Sequence, residues 1–323
     1  MIRPSARIAV VGVLAAAAVL AAACSGGGGG QAAPPAVEKP DLTVAAVPAL
    51  DSAGLYIAQQ RGLFAAQGLH VTIVAAPGSA AVVKSQMAGK YDVTEGAYVS
   101  YMLADALHRA DLRVLAPASN MAPLTQELLV PPGSPIQTVS QLKGKTIGLN
   151  APIGIGIVLV SALLSDNGLS PSAVHYVYYP FPKMAAALAA HQMDAAYLPE
   201  PFITGAEESI GATELADVDA GAAQSLPVSG YVVTQTWLNK YPKTAAAFRR
   251  AVLEAQSIAN TNLSAVVDGM VAYGGVSRTT AEIAAAPTYP LQSDPTLLQR
   301  TANLMEQFGL TTQVFNASSM IRG

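Results

Sequence analysis

From residue 42 onward, short apolar β-type runs alternate with longer stretches in which apolar positions recur at helical spacing, the pattern of an α/β protein with mostly parallel sheets. Residues 42–47 read as a strand. Asp51 or Ser52 can cap a helix running to about Arg61, and Gly62 and Gly68 punctuate the segment beyond it. Residues 71–75 form the next strand, Gly78-Ser79 opens a helix through Val82, Val83 and Met87 that ends near Gly89, and residues 91–94 are short and extended. A second block begins after Pro131-Pro132-Gly133. It predicts a strand at 146–149, a helix at about 154–167 stopped by Gly168, a strand at 174–179, a helix at 183–191 and a strand at 195–198.

The two blocks share a rhythm. Asp92 follows Thr43 by 49 positions and Asp194 follows Thr146 by 48, and each interval holds a strand, a helix, a Gly-Leu pair (Gly68-Leu69, Gly168-Leu169), a second strand and a second helix. Two explanations stand: any pair of βαβ units looks alike at this level, or the blocks are similar lobes facing each other, with ligand loops at the carboxyl ends of their strands. The rest is mainly helical. Phe248, Val252, Ala255 and Ala259 place an amphipathic helix over 243–261, while Asp294-Pro295 caps another that Gly309 ends. Residues 127–130 read as an extended segment leaving the first block and 231–235 as one returning from the second. The expected architecture is therefore two α/β lobes on a two-strand hinge, lobe one being 41–129 plus 235–323 and lobe two 130–234.

The start of the chain is different. Arg3 and Arg7 precede an unbroken apolar run over 8–23, followed by Cys24, Ser25 and five glycines. A basic start, a short apolar stretch and small residues before the break make an export signal over 1–23. A membrane-spanning anchor needs about 20 apolar residues, more than stand here. Leu20-Ala21-Ala22-Ala23-Cys24 resembles a bacterial lipoprotein signal, which implies acylation of Cys24; Leu20 stands four residues before the cysteine rather than the commoner three. The Gly- and Pro-rich stretch 24–40 reads as a flexible tether, and the expected location is the outer face of the cytoplasmic membrane.

Composition narrows the chemistry. Of 323 residues, 51% are hydrophobic and 12% charged, with a net charge of -3, too apolar for a disordered chain and too acidic for nucleic-acid binding by charge. Cys24 is the sole cysteine and the four histidines are scattered, so neither a disulfide framework nor a metal-ligand spacing exists, and no cofactor is expected. Gly154-Ile155-Gly156 imitates the start of a dinucleotide fingerprint, but Leu159 stands where the third glycine belongs.

An ordered set of segments carries a resemblance. Leu55-Tyr56-Ile57-Ala58, Arg61-Gly62-Leu63-Phe64, Gly68-Leu69, Val71-Thr72-Ile73, Gly78-Ser79, Leu142-Lys143-Gly144-Lys145-Thr146-Ile147, Gly168-Leu169, Asp194-Ala195-Ala196 and Glu200-Pro201-Phe202 are similar to segments of the nitrate-, sulfonate- and taurine-type solute-binding proteins of ABC importers, the group that includes thiamine-pyrimidine binders. The resemblance implies the type II periplasmic-binding-protein fold, hinge closure on one small solute, and an ABC permease with its ATPase as partners of a monomer. The enzymatic branch of that group uses a cysteine-rich segment, which this sequence lacks, so no catalysis is expected.

By the same analogy, Leu50, Asp51, Ser52, Gly78, Ser79, Gly96, Ala97 and Tyr98 of lobe one, and Asn150, Ile153, Gly154, Tyr197 and Glu200 of lobe two, line the ligand cleft. Ser52, Gly78-Ser79 and Ile153-Gly154 lie at expected helix starts, whose free N–H groups suit an anion or a carbonyl, although both serines can equally cap their own helices. Tyr56 and Tyr101 read as core, Tyr98 and Tyr197 as cleft. These loops carry no Lys or Arg but include Asp51, Glu95 and Glu200, which favours a pyrimidine-like or amine-bearing solute over nitrate or a simple sulfonate. Glu200 can also serve as a structural contact across the cleft. A sensor that presents the same clamp to a membrane receptor is the remaining alternative.

Overall fold

A computed structural model describes residues 36–321. The export signal, Cys24 and the tether to residue 35 lie outside the described residues. Ten strands form two five-stranded mixed sheets. β1 (Asp41–Ala46), β2 (His70–Ala75) and β3 (Val93–Ala97) are the parallel strands of the first, and β6 (Thr146–Leu149), β7 (His175–Tyr178) and β8 (Ala195–Pro199) those of the second. β4 (Leu112–Asn120) and β10 (Pro227–Thr234) complete the first sheet, in the order β2-β1-β3-β10-β4. β5 (Gln126–Val130) and β9 (Thr213–Asp217) complete the second, in the order β7-β6-β8-β5-β9. In each sheet the fourth strand runs antiparallel to the third and to the edge strand.

The chain therefore changes sheets twice, after β4 and after β9. This moves both expected lobe boundaries. β5, placed at the end of lobe one, pairs with β8 and β9 of the second sheet. β10, placed in lobe two, pairs with β3 and β4 of the first. The crossings are 121–125 and 218–226 rather than 129/130 and 234/235. Both strands are buried on both faces, so their apolar pattern does not tell which sheet they join.

The lobes repeat in detail. Thr43 N–H donates to Asp92 Oδ2 at 3.0 Å while Asp92 N–H donates to the Thr43 carbonyl at 2.9 Å. Thr146 and Asp194 make the same pair at 2.8 Å each way. One aspartate thus fastens the end of each βαβ unit to the start of its first strand. Helix Pro242–Ala259 buries Phe248, Val252 and Ala255 against lobe one, as its spacing predicts. Helix Pro295–Gln307 starts where Asp294 Oδ1 accepts from Thr296 N–H at 2.7 Å. A second apolar core fills lobe two and continues into helices Tyr98–Ala106 and Pro295–Gln307, so the lobes share buried apolar surface. No helix among the described residues is long and apolar enough to cross a membrane.

Candidate functional site

A narrow cavity of about 50 Å³, open at its mouth, lies between the two sheets. Lobe one supplies Ala49 and Asp51 after β1, Ser79 after β2, and Glu95, Gly96 and Ala97 from β3 itself. Lobe two supplies Asn150, Ile153 and Gly154 after β6, Phe181 after β7, and Tyr197 with Pro199 from β8. The crossing strands add Gln126 and Ser229.

Helices Ser79–Met87, Tyr98–Ala106 and Ile155–Asp166 all begin at this cavity, and none has a side-chain hydrogen bond at its N-cap. Their first N–H groups are open to a hydrogen-bond acceptor. Opposite in character are the two carboxylates. Glu95 is 1% exposed on β3, and its Oε2 lies 2.6 Å from Ser52 Oγ, which is also 2.8 Å from the Val47 carbonyl. One hydroxyl proton cannot serve both acceptors, so a proton on Glu95 completes the set. Burial pushes the Glu95 carboxyl up to about 7, against the hydrogen bonds of Ser229 and Ser52 and with help from the Asp51 charge. Asp51 is raised by burial as well, while the Ser119 hydroxyl that donates to its Oδ1 opposes the shift. Ser119 and Ser229 are 3.1 Å apart, which links the two carboxylates through hydroxyl groups.

The aromatic wall is Tyr197 and Phe181, ring centroids 6.3 Å apart, with Phe202 stacked behind Phe181. The Tyr197 hydroxyl donates to Gln126 Oε1 across the β8–β5 pair. Gly156 is small for a packing reason: a Cβ there would lie 2.7 Å from the Tyr197 ring.

Asp51, Ser79, Gly96, Ala97, Asn150, Ile153, Gly154 and Tyr197 thus line the cavity; the other five expected residues do not. Leu50 is buried beneath it, its carbonyl accepting from the Tyr289 hydroxyl at 3.1 Å. Ser52 is fully buried and supports Glu95 from behind. Gly78 is the N-cap next to the lining Ser79. Neither serine caps its own helix, for Ser79 Oγ accepts from Ala97 N–H at 2.8 Å. Tyr98 turns away from the cleft and lies against Gly230, where a Cβ would meet its hydroxyl oxygen at 2.4 Å. Tyr56 and Tyr101 are core. Glu200 takes its structural alternative: it accepts from Thr204 Oγ1 of the helix that follows it at 2.8 Å and from Ala285 N–H of lobe one at 3.3 Å. Glu95 replaces it as the second carboxylate of the cavity. Gln126, Ser229 and Phe181 carry no local signal, since tertiary crossings and a helix start bring them in.

Known proteins agree with this architecture. Residues 49–262, more than half of the chain, match the model of the NMT1/THI5-like family. A curated relative, the nitrate import ATP-binding protein NrtC of Synechocystis sp., is 24% identical over 68% of this chain. The match spans 35% of that longer protein. The alkanesulfonate-binding protein SsuA of Xanthomonas axonopodis pv. citri, bound to MOPS, superposes with a TM-score of 0.77 at 18% identity, covering 89% of this chain and 99% of that one. The desulfurization enzyme DSZB superposes with a TM-score of 0.69 at 18% identity, covering 88% and 96%. The chain has the periplasmic-binding-protein fold and belongs to the NMT1/THI5-like family.

Proposed function

We propose that the protein is the solute-binding component of an ABC importer, capturing one small molecule between its lobes and presenting the closed form to a permease and its ATPase. The observation that carries this reading is a single cavity walled by strand ends of both sheets at the two chain crossings, where a change in lobe angle directly changes the wall. Binding shifts an open–closed equilibrium, and no bond is broken. Acylation at Cys24 holds the domain at the outer membrane face in this reading.

The solute bears N–H donors, as an aminopyrimidine does. Asp51 and Glu95 are acceptors on the cavity wall, no Lys or Arg lines it, and Tyr197 and Phe181 offer a flat apolar surface. The uncapped helix starts favour a second reading, in which they hold a nitrate- or sulfonate-type anion. Mass spectrometry of the co-purified solute, followed by calorimetry with pyrimidines, sulfonates and nitrate, separates the two. An amine-bearing solute is expected to lose at least about tenfold in affinity on Asp51→Ala, on the order of one charge-assisted hydrogen bond. Tight nitrate or sulfonate binding that survives Asp51→Ala overturns the amine reading. Scattering profiles that do not contract with any bound solute overturn the clamp, and a solute returned chemically altered overturns the transport role.

A further inference from the structure

The lobes also touch away from the cavity wall. Residues 278–289 of lobe one form a strap, helix Arg278–Ile283 followed by a stretch that ends in a bridge between Thr288 and Asn120, 3.0 and 3.2 Å in the two directions. Tyr289 fixes the same end: its hydroxyl donates to the Leu50 carbonyl, and its backbone pairs with the Asn260 side chain at 2.7 and 3.2 Å. The rest of the strap reaches lobe two at helix Phe202–Ile210. There the Thr280 hydroxyl donates to Glu208 Oε2 at 2.8 Å. Ser277 Oγ accepts from Thr280 N–H at 3.0 Å and donates in turn to Thr280 Oγ1 at 2.7 Å, so the helix cap and the lobe contact form one chain of hydrogen bonds. Ala285 N–H donates to Glu200 Oε1 at 3.3 Å, and the Glu200 carbonyl accepts from Leu50 N–H at 3.3 Å. Ala49 and Asp51 on either side of Leu50 line the cavity, as does Pro199 before Glu200, whereas Thr280, Ala285, Glu200 and Glu208 do not.

We propose that this strap is a latch: its contacts with Glu208 and Glu200 hold lobe two against lobe one and set the open–closed equilibrium from a place the solute does not touch. The proposal rests on the two-lobe clamp reading above. Each hydrogen bond of this kind is worth roughly two- to tenfold in an equilibrium, enough to bias the lobes without locking them. The latch changes the fraction of closed protein and leaves the cavity wall alone. Weakening it therefore scales affinity for every solute by one factor, unlike Asp51→Ala, whose effect depends on the solute's chemistry.

Amide hydrogen exchange of the solute-free protein tests the latch, read at Leu50, whose N–H is released when the lobes part. Glu208→Ala and Thr280→Val are each expected to speed exchange at Leu50 by about fivefold. The double variant should gain no more than either alone, because both remove the same bond. Glu282→Ala, on the strap helix but paired with Arg278 at 3.6 Å, should leave Leu50 unchanged. Faster exchange confined to residues 278–283 in Glu208→Ala and Thr280→Val overturns the latch. So does an equal rise at Leu50 in Glu282→Ala, which would trace the effect to the helix itself. Either result leaves the clamp reading standing, since that reading falls only on the absence of contraction by solute.

Discussion

At the residue scale the informative position is Glu95. Its neighbours explain both its protonation and its consequence for the ligand: a carboxyl that ionises at about 7 changes charge within the working range of most binding measurements. Ionised Glu95 is a better acceptor for an amine and repels an anion. Affinity for an amine-bearing solute should therefore rise as pH is taken from about 6 to about 8, and affinity for an anion should fall over the same window, by roughly tenfold if the coupling is one pKa unit. Glu95→Gln should remove either slope, and calorimetry across pH reads it directly. The sequence supplies Glu95 as a carboxylate near the cleft but gives no hint that it, and not Glu200, lines the cavity. That choice depends on Ser52, Ser119 and Ser229 meeting from three separate chain segments. Tyr98 is a comparable case. A helix-start tyrosine can point to either side of its strand, and the missing side chain at Gly230 decides the matter.

At the scale of elements, the repeated Thr–Asp fastening makes the two lobes comparable experiments. Asp194 accepts from Thr146 N–H at 2.8 Å, with Lys145 no nearer than 3.8 Å. Asp92 accepts from Thr43 N–H and in addition from Lys39 Nζ at 2.8 Å and Trp237 Nε1 at 3.0 Å. Removing an acceptor leaves each donor without its partner, so Asp194→Ala should cost about 1–2 kcal/mol and Asp92→Ala about 2–4 kcal/mol in denaturant unfolding. Equal losses would mean that the Lys39 and Trp237 contacts contribute nothing. This fastening was visible in the sequence as spacing, as was the alternation that gives the parallel strands. β4 and β9 were not. β4 carries Pro117, which an interior strand rejects but an edge strand accepts, here opposite the irregular register at Gly230. β9 is the polar Thr213–Asp217, also at an edge. Edge position is a property of the assembled sheet, so a single strand's sequence cannot announce it.

At the scale of the whole molecule, burial of carboxylates couples stability to pH. Burial, with the charges of Glu214, Glu207, Asp217 and Glu200, drives Glu127 on the crossing strand β5 up to about 8, and its Oε2 has no hydrogen-bond partner. Asp51 and Glu200 move in the same direction, burial being the largest cause for both. The ordinary glutamate value is 4.5, so between that pH and about 7 for Glu95, or about 8 for Glu127, the folded state holds protons that the unfolded chain has released. Stability must fall as pH rises through that interval and level off above it, the reverse of a protein whose carboxylates are stabilised by ion pairs. The melting temperature should accordingly decline between about pH 5 and about pH 8, with a ceiling of about 3 kcal/mol from Glu95 and about 5 kcal/mol from Glu127 at the upper end. Glu95→Gln should flatten the curve up to about 7 and Glu127→Gln up to about 8, the double variant keeping only the smaller slope that Asp51 and Glu200 contribute. Scanning calorimetry at a series of pH values decides it. A melting temperature that climbs over this range would mean that both side chains are ionised in the fold, and that negative charge is already present in the cavity and on the crossing strand β5.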